Sequence, residues 1–234
     1  MKARDGRGGA VVLLSGGMDS ATSLAVARRD EPGPLRTLTL SYGQRHVREL
    51  RAARALARHF SVSEALELMV PFAPLAPSAI TGKGALPRDR STRTMGRGIP
   101  STYVPGRNTV FLALALSLAE SRRSDAIYLG INAVDYSGYP DCRPEYLRAF
   151  QRLASLATAR GVKEHWTPRL VAPLRRLSKE EIVRLGERLQ VPWEKTWSCY
   201  AGEARPCGRC DACRLRALGF RKAGVADPLA RTRS

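Results

Sequence analysis

Apolar and polar positions alternate along the chain in two periods. Val11–Leu14 is a short unbroken apolar run and reads as a buried first strand. A helix follows from about Ser20 to Arg28, with Leu24 and Ala27 inward. Thr37–Leu40 reads as a second strand. His46–Phe60 places Val47, Leu50, Ala53, Ala57 and Phe60 at helical spacing, and Ala65–Val70 reads as a third strand. From 71 to 106 the periodicity stops. Six prolines and several glycines there make a long loop of the functional or disordered kind. Asn108–Glu120 restores a helix with Phe111, Leu114 and Leu118 on one side, and Ala126–Leu129 is a strand ending at Gly130. A polar, turn-rich stretch over 130–144 leads into a helix over Tyr146–Arg160 and a short strand, Arg169–Val171. Ser178 with Glu181 three residues on makes a capping box for the next helix, whose inner stripe is Ile182, Leu185 and Leu189.

Strands alternating with helices predict an α/β fold with a mostly parallel, doubly wound sheet covered on both faces. Ligands bind such sheets beyond the carboxyl ends of the strands, so the loops 15–20, 41–46 and 130–143 should face one crevice. The length of 234 residues suits one α/β domain, over 1–190, with a small C-terminal appendage over 191–234. No internal repeat is visible.

Charge adds little. Lys+Arg is 39 against 21 Asp+Glu, a net +18 that suits anionic ligands or a solvated surface. No lysine-rich run or RNA-binding signature accompanies it, so no nucleic-acid partner is expected. No run approaches the roughly 18 apolar residues of a membrane span, and the N-terminus reads as neither signal peptide nor anchor. The expectation is a cytoplasmic protein that does not engage a membrane.

The chemistry concentrates in a few places. Ser15-Gly16-Gly17-Met18-Asp19-Ser20 joins the first strand to the first helix. Two glycines let backbone N–H groups and a helix N-terminus approach a phosphate, and Ser15 and Ser20 add hydroxyls. This is no Walker A loop, because its lysine is missing. Asp19 would repel phosphate unless magnesium lay between them, which suits a metal-bridged pyrophosphate leaving group. The plain alternative is a glycine turn with an aspartate capping a helix. After the second strand, Gln44 and Arg45 are placed to reach a nucleotide, or simply start an exposed basic helix. Arg107, at another helix N-terminus, can bind a phosphate or carboxylate bidentately. Asn132, Asp135, Tyr136, Tyr139, Asp141 and Arg143 gather on the 130–146 loop. Singly they suit turns and caps; together they suit a flat polar heterocycle.

Cys199, Cys207, Cys210 and Cys213 supply four sulfurs with two overlapping C-x-x-C steps. That pattern predicts a closed, structural Cys₄ zinc site, with an iron–sulfur cluster or a redox pair as the alternatives. Cys142 stands apart in the 130–146 loop, as a packed thiol or a nucleophile.

The loop at 15–20 resembles the SGGxDS signature of the N-type ATP pyrophosphatases, the PP-loop family. Those enzymes cleave ATP between its α- and β-phosphates and pass AMP to a carboxylate, amide or carbonyl oxygen. Together with "SYGQRHVREL", "STYVPGRNTVFLALA", "GINAVDYSGYPDCRPEY", "PLRRLSKEEI" and "TWSCYAGEARPCGRCDACRLRALGF", it resembles the 7-cyano-7-deazaguanine synthase family of the queuosine pathway over nearly the whole chain. Residues 71–98 are the least typical part. The resemblance implies an adenine nucleotide alpha hydrolase-like fold and conversion of 7-carboxy-7-deazaguanine and ammonia to the nitrile, through adenylated acid and amide, with ATP, Mg and Zn. It implies ATP binding by Leu14, Ser15, Gly16, Gly17, Met18, Asp19, Ser20, Ala21, Thr22, Ser23, Leu24, Gln44 and Arg45, and catalysis by Asp19, Ser20 and Arg107. Asn132, Asp135, Tyr136, Asp141 and Arg143 would bind the base, with Asp135 or Asp141 accepting from its N–H edge and Tyr136 or Tyr139 stacking. All four clustered cysteines match the family's zinc ligands, and a homodimer is implied. Alternatives are a ligase that stops at the amide or couples another amine, and a PP-loop enzyme that modifies tRNA.

Overall fold

The computed structural model describes residues 8–43, 48–76, 78–81, 85–91, 95, 98–133 and 139–230. Five strands form one parallel sheet: β1 (Ala10–Leu13), β2 (Leu35–Ser41), β3 (Glu64–Met69), β4 (Ala126–Tyr128) and β5 (Arg169–Val171). Their spatial order is β3-β2-β1-β4-β5. The order reverses beside β1, where Ala10 pairs with both Leu35 and Ala126. The chain winds one way from β1 to β3 and the other way from β4 to β5, which opens a crevice beyond the carboxyl ends of β1 and β4.

The helices are α1 (Met18–Asp30), α2 (Arg48–His59), α3 (Arg107–Ser121), α4 (Pro144–Ala157), α5 (Ala159–Glu164), α6 (Lys179–Arg188) and α7 (Asp211–Ala223). Successive strand residues point to opposite faces, and the core divides accordingly. Ala10, Val12, Leu14 and Tyr128 pack with Leu24 of α1, Leu56 of α2, Ile182 of α6 and Phe220 of α7. Val11, Leu38 and Ile127 pack on the other face with Leu112 and Ala115 of α3 and Leu147 and Phe150 of α4. The doubly wound arrangement is the one expected.

Element details differ from the periodicity in instructive ways. The inner face of α2 is Ala52, Ala53, Leu56 and Ala57, while Leu50 and Phe60 are only half-buried. The helix expected over 146–160 is two helices. Thr158 turns the chain extended, and its hydroxyl accepts from the Gly161 amide to start α5. Its hydroxyl also donates to the Ala154 carbonyl of α4, so one side chain ties both helix ends. The 71–106 segment is ordered at its described positions. Phe72, Ala76, Ile80 and Val104 form a small core of their own.

The capping box of α6 is fully formed. Ser178 accepts from the Glu181 amide, and the Glu181 carboxylate accepts from the Ser178 amide at 2.7 Å. Ser178→Ala should lower stability by about 1 kcal/mol in urea unfolding. An unchanged midpoint would show that the cap contributes nothing to holding α6.

Candidate active site

The loop 15–20 leaves β1 and enters α1 at Met18. The Ser20 hydroxyl donates to the Gly17 carbonyl at 3.0 Å and accepts from the Ser15 amide at 3.2 Å, closing the loop on itself. Gly16 has φ +86°, and a Cβ there would stand 2.3 Å from the Glu49 carbonyl oxygen. Only glycine gives both the left-handed turn and contact with the first turn of α2. Gly130, just past β4, makes a comparable approach: a Cβ would come within 2.8 Å of the Ser20 amide nitrogen. These two contacts bring the ends of β1 and β4 and the start of α2 around one cleft.

That cleft has a volume of about 250 Å³. Ser15, Gly17, Asp19 and Ser20 line it together with Tyr42, Glu49 and Arg107 and with Thr102, Tyr139 and Tyr200. The loops expected to converge do so at their described residues. A larger concavity, about 680 Å³, lies between α4 and β5 and contains none of the expected site residues.

Asp19 is paired. Its Oδ2 accepts from Lys179 Nζ at 2.6 Å, and Asn132 Nδ2 stands 3.4 Å from the same oxygen. Its Oδ1 is buried and has no hydrogen-bond partner in the structure. Lys179 is the first residue of α6, so the positive charge absent from the loop arrives from another part of the chain. Sequence reasoning missed it. The signal was present in "PLRRLSKEEI", next to the cap, but nothing local says that this lysine reaches residue 19.

Arg107 opens α3 with its guanidinium over the Tyr42 ring at 5.6 Å and the Phe111 ring at 5.9 Å. Burial alone would lower its pKa. The surrounding Tyr42, Tyr139, Asp141 and Tyr200 outweigh that and raise it, so it is a fixed cation. Glu49, also missed from sequence, is pushed up to about 8 by burial, with Arg107 opposing the shift and Cys199 adding to it. Tyr42, Thr102 and Tyr200 are further wall residues that lie inside the quoted stretches but were not singled out there.

The remaining expected residues divide by place. Asp141 is buried; its Oδ2 accepts from the Asn108 amide at 3.1 Å, and its Oδ1 is buried without a partner. The Tyr139 hydroxyl is 3.0 Å from that of Thr102. Cys142 lines the cleft and accepts from Asn108 Nδ2 at 3.2 Å. Arg143 is exposed at the N-cap of α4, outside the cleft wall. Leu14, Met18, Ala21, Thr22, Ser23 and Leu24 are buried. The Thr22 hydroxyl donates to the Met18 carbonyl within α1, and that of Ser23 to the Leu129 carbonyl, which ties α1 to the end of β4. Gln44, Arg45, Asp135 and Tyr136 lie outside the described residues.

The four clustered cysteines are buried with all four Sγ atoms within 4.8 Å of one another. Tetrahedral thiolates about 2.3 Å from one ion stand about 3.8 Å apart, so the cluster fits a Cys₄ metal site. Cys199 Sγ accepts from the Ala201 and Cys207 amides. Bonds among the thiols hold Cys199 below the usual thiol range and push Cys210 and Cys213 above it. No helix among the described residues is long and apolar enough to cross a membrane.

A parallel doubly wound sheet whose first strand ends in SGGxDS, with the acid of that loop at the crevice, defines the PP-loop class of nucleotide-binding proteins. The fold is shared with the NMN synthetase from Francisella tularensis at a TM-score of 0.51 and 15% identity, over 94% of this chain and 79% of that one. Within that class, the chain belongs to the family described as "Queuosine biosynthesis protein QueC", which it matches over residues 9–224. It is 56% identical over 218 residues to the 7-cyano-7-deazaguanine synthase of Synechococcus elongatus, covering 93% of each chain. It is 53% identical over 221 residues to that of Anaeromyxobacter dehalogenans, covering 94% of each.

The Glu49 shift has a consequence for stability. Between the ordinary carboxyl pKa of 4.5 and about 8 the folded chain keeps a proton on Glu49 that the unfolded chain releases. The unfolded state then binds fewer protons, so this group's contribution to stability falls as pH rises through that window. Glu49→Gln should flatten that part of the dependence, and its thermal midpoint should gain on the wild type from pH 5 to pH 8. Parallel melting curves for the two proteins across that range would contradict the burial of this carboxyl.

Proposed function

We propose that the chain converts 7-carboxy-7-deazaguanine, ammonia and ATP to 7-cyano-7-deazaguanine, a step in queuosine precursor biosynthesis. The identity to the synthases supports the substrate, and the pairing of Asp19 with Lys179 at the phosphate loop carries the chemistry. A carboxylate is a poor electrophile. Transfer of AMP to its oxygen gives it a good leaving group, and ammonia then yields the amide. A second adenylation, on the amide oxygen, allows elimination to the nitrile.

The residues divide this work by position. The loop amides at the start of α1, with the Ser15 and Ser20 hydroxyls, hold the outer two phosphates. Lys179 offsets charge there as pyrophosphate leaves. The partnerless Asp19 Oδ1 is a hard oxygen that fits magnesium, so Asp19 would hold the ion with ATP oxygens. Magnesium would supply neutralisation of phosphate charge. Arg107, a fixed cation in the cleft wall, binds the reacting carboxylate or the AMP phosphate. Tyr139 supplies a ring in the cleft wall, and Asp141, whose Oδ1 is buried without a partner next to Cys142 of that wall, would accept from the N–H edge of the base. Zinc is the ion assigned to the four cysteines, because a closed thiolate tetrahedron is its structural site.

A cytoplasmic homodimer, and a division between a PP-loop domain over 1–190 and a zinc-binding segment over 191–234, belong to the same reading. The exposed Leu153, Leu156 and Val162 on α4 and α5 support an association surface.

Incubation with ATP, magnesium, ammonia and 7-carboxy-7-deazaguanine, without RNA, tests the reaction. Mass spectrometry should find the nitrile as end product and AMP with pyrophosphate as spent nucleotide. Accumulation of a base one water heavier would make the chain an amide ligase, and ADP in place of AMP would refute the adenylation.

A further inference from the structure

Three walls of the cleft are bonded to the tetracysteine loop. The first is the phosphate loop. The Trp197 amide donates to the Gly16 carbonyl at 2.8 Å, and the Trp197 indole N–H donates to the Cys199 carbonyl at 3.0 Å. Trp197 is thus a rigid link of two hydrogen bonds between the first cysteine and the loop. The second wall is α2, whose Arg48 guanidinium lies 5.1 Å from the Trp197 ring centre and whose Ala52 packs among the four cysteines. The third is the 71–106 segment, which contributes Ile80 and Thr102 to the cleft.

This third wall has little backbone bonding of its own. Beyond its turns, the described part makes one backbone bond within itself, from the Ala79 amide to the Ser101 carbonyl at 3.0 Å, and one isolated bridge outward, Arg88 to Cys210. The Asp89 amide donates to the Arg209 carbonyl at 2.9 Å, and the Arg209 Nε returns a bond to the Asp89 carboxylate at 2.8 Å. Arg90 pairs with Asp211 through more than one bond, including Nε to Oδ2 at 3.1 Å, and the Asp211 side chain is only 10% exposed. Residues 209 and 211 flank Cys210, so every one of these bonds lands between metal-ligand positions. Tyr200, next to Cys199, meets the segment at the cleft and packs on its small core.

We infer that the tetracysteine loop positions the reaction site, with Trp197 placing the phosphate loop and the Arg90–Asp211 pair placing the wall that faces the base. This rests on the ATP-dependent reading above. A segment without its own ladder must be ordered by contacts elsewhere, because each fixed residue costs about 1–2 kcal/mol of conformational entropy. A closed thiolate site supplies such a fixed point, since an ion holds residues far apart in sequence at one geometry. Thr102 then carries the order onward through its hydroxyl contact with Tyr139. Trp197 and Arg90 are positioning residues here, acting through Gly16 and through the segment.

The test uses two variants of the full chain. Trp197→Phe keeps an aromatic ring beneath Arg48, removes the indole N–H together with part of the bicyclic ring, and leaves the backbone bond to Gly16 in place. Arg90→Met with Asp211→Asn removes the ion pair and leaves no buried charge unpaired. Both should retain one zinc per chain. Trp197→Phe should raise the KM for ATP about threefold to tenfold with that for the carboxylate unchanged, and the double variant should do the reverse. A readout without turnover accompanies them: on chelation of the wild-type metal, amide exchange over 15–20 and 85–91 should speed up before the β1–β4 pairs open. Unchanged KM values with metal retained, equal rises in both constants for both variants, or metal lost together with activity would each overturn the inference. So would exchange that accelerates only with global unfolding. Wild-type turnover to AMP is the control: its failure would count against the proposed reaction, not against the positioning.

Discussion

The cleft depends on one contact, the 2.6 Å bond from Lys179 Nζ to Asp19 Oδ2 between residues 160 positions apart. An aspartate at the mouth of a phosphate-binding loop is an electrostatic contradiction unless a cation stands beside it. The parallel sheet provides that cation. β1 and β5 end at the same edge, α1 and α6 start from that edge, and both pack on the face built by Ala10, Val12 and Leu14. The capping box then sets the first turn of α6, which carries Lys179. With one carboxylate oxygen committed to lysine and the other buried without a partner, the loop is prepared for a cation and phosphate together.

The close approaches around this pair leave no room for a side chain at two backbone positions. Gly16 lies against α2 and Gly130 against the start of α1, each with no room for a methyl group. The cleft wall is consequently built from backbone as much as from side chains. Arg107 and Glu49 belong to it, with opposite responses to burial. Arg107 remains charged through its ring and carboxylate neighbours, while Glu49 holds its proton well past the usual carboxyl range.

Much of this was legible along the chain where the signal is local. The strand Arg169–Val171 and the Ser178–Glu181 box are as expected, because a flanking turn and a cap act over a few residues. The glycine-rich loop and the cysteine spacing pointed to the two centres. Contacts between distant residues were not legible. Lys179 and Glu49 lie within predicted helices, and nothing local marks either as a site residue. The break at Thr158 was hidden because the apolar period runs through it, while its hydroxyl bonds to both helix ends. The 71–106 segment carried no period at all; its described part is held by the small core around Phe72 and Val104 and, at Asp89 and Arg90, by Arg209 and Asp211 more than a hundred positions away.

The account stands or falls on what Lys179 does for phosphate. Exchange of labelled pyrophosphate into ATP, in the presence of the carboxylate and without ammonia, isolates the first adenylation. Lys179→Met should reduce that exchange by about a hundredfold or more while the unfolding free energy stays within about 1 kcal/mol of the wild type. Exchange at the wild-type rate in that variant would contradict the assignment of this contact to the reaction.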